Sequence, residues 1–274
     1  MDEDLRQQII DRLSPIIGVQ LPILQIPTKL LSAFEPSQIG TIFGNALDAL
    51  LPLIHEFVEV EGIENHGLKK AEGLLKDREG YPDYKHELGP NIELKGAQID
   101  PIDPVTKTAE TRREPSSRIT ESVTKEILED NDLLLVVGYQ MQPVLDDDSM
   151  YALTIVDIGL FAMSEIVDAR DERLIASGGF WFDESVPVIP SNLGKRKQKS
   201  TIPLDATTGF NDQKGSSGHD YSHDTNFGKL KRIPHAELQQ FLARIGADYM
   251  DSWNSQWKIV EDDDEYVIRH LPRS

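Results

Sequence analysis

Three side chains have the types and spacing of a cation-assisted hydrolytic centre: Asp83, Glu93 and Lys95. Asp83 follows Tyr81-Pro82, and Glu93-Leu94-Lys95 comes after nine intervening residues. A phosphodiester carries a negative charge that repels attacking hydroxide. Two carboxylates can hold one or two divalent cations that neutralise this charge and orient a water. A lysine beside them stabilises developing charge, or positions or deprotonates the attacking water. The backbone carbonyl of Leu94 is a candidate further oxygen ligand.

For these groups to meet, strands must carry them. Asn91-Ile92-Glu93-Leu94-Lys95 alternates polar and apolar residues. As a strand it places Glu93 and Lys95 on one face and Ile92 and Leu94 on the other. Asp83 is expected at the end of the preceding strand, with Lys85, His86 and Glu87 in the intervening turn. Upstream, residues 66–78 read as a helix with Leu68, Ala71, Leu74 and Leu75 on one side. Downstream, Pro101, Pro104 and Pro115 mark a loop. Ser116 or Ser117 would cap a helix to about Asp130, with Ile119, Val123, Ile127 and Leu128 facing inward. Residues 133–138 are a continuous apolar run, the pattern of a strand buried on both faces. An acidic turn at 143–149, a strand at 151–161 and a helix at 164–176 follow. The expected fold is therefore α/β (α+β), with a central mixed β-sheet flanked by helices.

Pro82-Asp83 with Glu93-Leu94-Lys95 resembles the PD-(D/E)XK nuclease superfamily. Within it, the nine-residue gap and the run Glu93-Leu94-Lys95-Gly96-Ala97-Gln98-Ile99-Asp100 are similar to type II restriction endonucleases of the PvuII kind. The resemblance covers roughly residues 66–140. It implies a restriction-endonuclease-like core in which Asp83, Glu93 and Lys95 are catalytic. Asp83, Glu93 and the Leu94 carbonyl would ligate Mg2+, with Mn2+ as a substitute. Helix acids assist in some members, which makes Glu64 and Glu72 candidate supporting carboxylates. Glu87 in the turn is a third. The competing reading of the motif is Asp83 as a turn residue and Glu93 with Lys95 as a solvated strand face.

The flanking regions differ in character. Residues 1–64 are rich in Leu and Ile at helical spacing, broken by Pro22, Pro27 and Pro36. They read as a helical packing or dimerisation region ahead of a nuclease core at 65–190. Residues 191–274 read as a C-terminal extension, with a helix at 234–250 and a terminal hairpin. The stretch 191–229 is long and without periodicity, and such segments are more often functional than idle. Basic residues bracket it: Lys195, Arg196, Lys197 and Lys199 on one side, Lys229, Lys231 and Arg232 on the other. With Arg112, Arg113 and Arg118 they are candidate DNA contacts. His219, Asp220, His223 and Asp224 admit three readings: a zinc site, a DNA-contacting loop or a plain polar loop.

Composition bounds the partners. The 274 residues carry a net charge of −19, and no cysteine is present. Thiolate metal sites and cysteine nucleophiles are excluded, so a metal must take oxygen or imidazole ligands. No apolar run is long enough for a membrane span, and the acidic start lacks a signal-peptide n-region. A cytoplasmic protein is expected, with no membrane partner. The acidic total argues against a long non-specific DNA surface but not a short specific one. Only residues 191–244 are net basic, with nine Lys or Arg against five Asp or Glu. These features lead to the expectation of a sequence-specific endonuclease acting on double-stranded DNA, with a homodimer matching a palindromic site. The alternatives are a structure-specific or repair nuclease with the same centre, and a non-enzymatic acidic interaction protein.

Overall fold

The computed structural model describes residues 2–31, 36–71, 81–99, 117–120, 123–145, 147–176, 180–182, 186–188, 228–246, 257–262 and 265–270. It is a mixed α+β fold. The chain divides into two compact units, one of residues 1–117, 129–163 and 237–249, the other of 118–128, 164–236 and 250–274. Among the described residues, no helix is long and apolar enough to cross a membrane.

The first unit is built on a six-stranded sheet. Its strands in chain order are β1 (Gln20–Pro27), β2 (Leu68–Lys70), β3 (Tyr84–His86), β4 (Asn91–Gln98), β5 (Leu133–Val144) and β6 (Asp147–Ala162), arranged β1-β6-β5-β4-β3-β2. Only β4 and β5 run parallel, with Glu93 opposite Leu134 and Lys95 opposite Val136. The other neighbours are antiparallel.

Alternation along β4 and β5 sorts the two faces. Ile92 and Leu94, with Leu133, Leu135, Val137, Tyr139 and Met141, join the main core. That core includes Ile9 and Leu13 of α1 (Glu3–Leu13) and Leu47 and Leu50 of α3 (Pro36–Leu50); the short α2 (Thr28–Leu31) lies between these helices in sequence. Asp2 caps α1 by accepting the Asp4 and Leu5 N–H groups, satisfying donors that a helix start leaves orphaned. Glu93, Lys95, Leu134 and Val136 therefore belong to the opposite face. There the helix Ala236–Arg244 brings the Phe241 ring to 5.8 Å from Phe161. A Cβ at Gly138 would come within 2.8 Å of the Ile245 side chain, so glycine there permits the close approach.

Several expectations are corrected. Residues 1–64 are not wholly helical, because Gln20–Pro27 forms β1 at the sheet edge. Proline lacks a ladder N–H and is tolerated on an edge strand. The register of β1 shifts between Leu21 and Gln25, a stretch that contains Pro22. The helix expected at 66–78 is replaced at 68–70 by β2, whose residues pair with β3; residues 72–80 lie outside the described set. Lys85 and His86 are in β3 rather than in the turn. The helix expected from 117 to about 130 does not form over the described positions, where only a single 3-10 turn at Lys125–Ile127 occurs. Ser117, proposed as a cap, donates to the Gly96 carbonyl at 2.5 Å. Arg118 forms an antiparallel bridge with Lys229, and the Ile119 N–H donates to Gly228 at 2.8 Å. Ile119 and Val123 are buried as expected, but long-range pairing has taken the backbone groups that a helix would use.

The other expected elements form with modest changes of length. β5 and β6 extend past their predicted limits. The helix at 164–176 is α4 (Met163–Ala176), and the terminal hairpin pairs Trp257–Asp262 with Glu265–His270. Phe180–Phe182 pairs with Val186–Val188. The His219–Asp224 segment lies outside the described residues.

Two buried histidines fasten the paired β2 and β3 strands beside the site. His66 Nδ1 accepts the Leu68 N–H at 3.0 Å, and His86 Nδ1 accepts the Leu88 N–H at 3.1 Å. His86 Nε2 lies 3.1 Å from the His66 carbonyl, so neutral His86 carries its proton there. Burial holds both imidazoles below their ordinary pKa. His55 adds to this for His66 and Arg12 for His86, while Glu87 opposes it for both. Protonation would cost each ring its acceptor role. The unfolded chain takes up these protons first as pH falls below about 6.5, so folding stability drops there. His86→Asn, whose Oδ1 substitutes for Nδ1 as acceptor, is expected to flatten the loss of melting temperature between about pH 7 and pH 5.5. Equal slopes in variant and wild type would show that His86 does not contribute.

Candidate functional site

The sequence places Glu93 and Lys95 two residues apart on a strand, and the structure joins them. Lys95 Nζ donates to Glu93 Oε1 at 2.5 Å. The β3–β4 register sets Tyr84 opposite Ile92, and Asp83 immediately precedes β3 rather than ending a strand. Asp83 Oδ2 accepts the Leu94 N–H at 2.7 Å, so the residue before β3 is tied by its side chain to the backbone of β4. The three residues of the motif thus meet on the edge of β4 that faces β3.

The site is short of positive charge. Glu93 is 7 % exposed, and its Oε2 is buried with no hydrogen-bond partner. Burial and the adjacent Glu93 charge push the Asp83 carboxyl up to about 7, against the lowering influence of Lys95 and of the Leu94 N–H. Burial works to lower the Lys95 pKa, but the charges of Glu93 and Asp83 outweigh it and raise it. Lys95 therefore keeps its proton. Once Asp83 loses its proton, two carboxylates against one ammonium leave one negative charge uncompensated, with one Glu93 oxygen unbonded. A divalent cation fits that donor set. Mg2+ retains several waters and is commonly held by one or two carboxylates rather than by a full protein cage.

A second charged cluster adjoins the motif and was not anticipated. Asp48, near the end of α3, accepts from Lys70 Nζ at 2.6 Å on each carboxylate oxygen. Tyr84 donates to its Oδ1 at 2.8 Å and lies 2.7 Å from its backbone oxygen. Lys70 also sits 4.9 Å from the centre of the Tyr84 ring. Asp48 is close enough to raise the pKa of both Asp83 and Lys95. A signal was present: Asp48 is a lone charge inside the apolar run Ala46-Leu47-Asp48-Ala49-Leu50-Leu51. Tyr81 and Asp132 were also missed; they are bonded at 2.5 Å beside the motif.

The remaining candidates are dispersed. Glu64 is exposed in a 3-10 turn and accepts from Asn65 at 3.2 Å. Glu87 is exposed and paired with Arg12 of α1. Glu72 lies outside the described residues. Leu94 is opposite Leu135 in the parallel ladder, with its N–H committed to Asp83. In the second unit, Arg118 and Lys229 are bridge partners and half-buried, and Lys231 is buried. Arg232 is in the 3-10 turn Leu230–Arg232. Arg112, Arg113, Lys195, Arg196, Lys197 and Lys199 lie outside the described residues.

The Asp83 shift has a definite sign. With a folded pKa of about 7 against roughly 3.9 unfolded, the folded state binds the extra proton. Stability is complete below the unfolded pKa and is lost as pH rises through about 7. In EDTA, Asp83→Asn is expected to be more stable than wild type at about pH 8, by on the order of 1–3 kcal/mol, with the gap closing toward pH 4. Mg2+ should raise the wild-type melting temperature at about pH 8 and leave that of the variant unchanged. Parallel pH profiles, or equal Mg2+ responses, would count against the charge imbalance. Comparison with protein-family models, with curated proteins and with solved structures returns no match, so the reading of this centre rests on its own residues.

Proposed function

We propose that this protein is a Mg2+-dependent endonuclease that hydrolyses double-stranded DNA at a specific sequence, as a type II restriction endonuclease of the PD-(D/E)XK superfamily does. The observation that carries the proposal is the meeting of Asp83, Glu93 and Lys95, with the Glu93 Oε2 buried and unbonded. A bare solvated strand face would not bury that oxygen, since an unpaired buried acceptor costs about 1–3 kcal/mol.

Asp83 and Glu93 would hold the cation, which neutralises phosphate charge and activates water when bound. The Leu94 N–H restrains one Asp83 oxygen and fixes the direction of its carboxylate. Lys95, kept protonated by its two acidic neighbours, supplies a fixed positive charge for the pentavalent phosphate and its leaving oxygen. Its raised pKa favours charge stabilisation over proton abstraction. Asp48 is paired with Lys70 at 2.6 Å, and its charge is still felt at Asp83 and Lys95. The net-basic stretch at 191–244 would supply phosphate and base contacts. Two copies of the chain would match a palindromic site in the cytoplasm, with Mn2+ able to substitute for Mg2+.

Incubation with plasmid or phage DNA and Mg2+ tests this directly. Discrete fragments are expected, with turnover falling about 10²–10³-fold in Lys95→Ala and at least as far in Asp83→Ala and Glu93→Gln. A smear would instead indicate a non-specific or structure-directed nuclease. Intact DNA across metals and salt concentrations would leave the acidic interaction protein as the better reading.

A further inference from the structure

One buried carboxylate outside the motif touches both segments that deliver its acids. Asp132 immediately precedes β5 and is 2 % exposed. Its Oδ2 accepts from the Tyr81 hydroxyl at 2.5 Å and from the Glu129 N–H at 2.9 Å. Its Oδ1 lies 3.3 Å from the Asn91 N–H. Its own backbone closes the arrangement, donating to Glu129 at 3.1 Å and accepting from Met163 at 2.9 Å. Tyr81 stands two residues before Asp83, and Asn91 stands two residues before Glu93. A single side chain therefore anchors both approaches to the paired acids.

The chemistry of these contacts suits a positioning role. Hydrogen bonds to an ionised carboxylate are short and roughly twice as strong as neutral ones. Burying a carboxylate is costly unless its lone pairs are occupied, and here three donors from three segments occupy them. Losing any one of these segments leaves part of that cost unmet. The 81–83 segment, the start of β4 and the entry to β5 are thus coupled through one point.

We propose that Asp132 is a positioning residue that sets the separation of Asp83 and Glu93 through Tyr81 and Asn91. The inference rests on the reading of Asp83 and Glu93 as cation-holding acids, and it assigns Asp132 no contact with cation or DNA. Groups that orient ligands from behind commonly change metal affinity by 10–100-fold when removed.

Hydrogen exchange of two amides provides the test in the full-length, metal-free protein. The Leu94 N–H bonds to Asp83 and reports where that carboxylate lies, whereas the Leu135 N–H belongs to the adjacent buried strand. In Tyr81→Phe and Asp132→Asn, the Leu94 amide is expected to exchange at least about tenfold faster while Leu135 changes little. Mn2+ alone, titrated by electron paramagnetic resonance, should bind about 10–100-fold more weakly. Asp132→Asn, which keeps one oxygen acceptor, should fall between wild type and Asp132→Ala. Wild-type protection of Leu94 in both variants overturns the proposal. Acceleration of Leu94 and Leu135 by the same factor also overturns it, because that is the signature of general destabilisation. If Leu94 responds as expected but the wild type neither binds Mn2+ nor cleaves DNA, the positioning role stands and the nuclease reading falls.

Discussion

Charge imbalance at the β3–β4 boundary is the constraint that the surrounding fold has to accommodate. Asp83, just before β3, is bonded to the Leu94 N–H and adjoins the Glu93 charge, and Lys95 is the ammonium bonded to Glu93. Burial magnifies the repulsion between the two acids, because a low-dielectric environment screens it less than water does. The result is a carboxyl at Asp83 that holds its proton far above the ordinary carboxylate range. It also leaves a Glu93 oxygen without a partner. Both features describe a carboxylate pair short of positive charge. They require the surrounding structure to hold like charges together.

That support comes from the packed face of the sheet and from the neighbouring strands. On one face, Ile92 and Leu94 are locked into a core with α1, α3 and the odd-numbered residues of β5. Each fully buried aliphatic side chain there contributes about 1.5–3 kcal/mol, which exceeds the typical net value of one hydrogen bond. The burial of Ile92 and Leu94 thus determines which way Glu93 and Lys95 must face. From the same side, Tyr84 and Lys70 fasten β3 and β2 to Asp48 on α3. The parallel β4–β5 pairing adds rigidity, since β4 is hydrogen-bonded on both edges.

The acidic total of −19 is compatible with a nucleic-acid partner only if charge is distributed unevenly. Non-specific attraction to DNA scales with the phosphates neutralised, so a chain this acidic has little to gain from a broad surface. Residues 191–244, with nine Lys or Arg against five Asp or Glu, are where positive charge concentrates. The second unit contains residues 191–236 of that stretch and the Arg118–Lys229 bridge.

Local chemistry was legible from the sequence. The period-two alternation around Glu93 predicts a shared face with Lys95, because side chains on a strand must alternate whatever the strand packs against. The unbroken run from Leu133 predicts a doubly buried strand for a similar reason: only the interior accepts that many consecutive aliphatic residues. Tertiary structure decided what depends on distant partners. Leu68–Lys70 is a strand because β3 supplies a ladder, although its residues fit a helix. Residues 118–119 are extended because 228–229 lie alongside them. Asp48, Lys70 and Asp132 reach the centre from 35, 13 and 49 positions away from Asp83, and no local pattern encodes such meetings. A hydrogen bond or ion pair between remote segments is specified by the packing that brings them together, and that packing exists only in the folded chain.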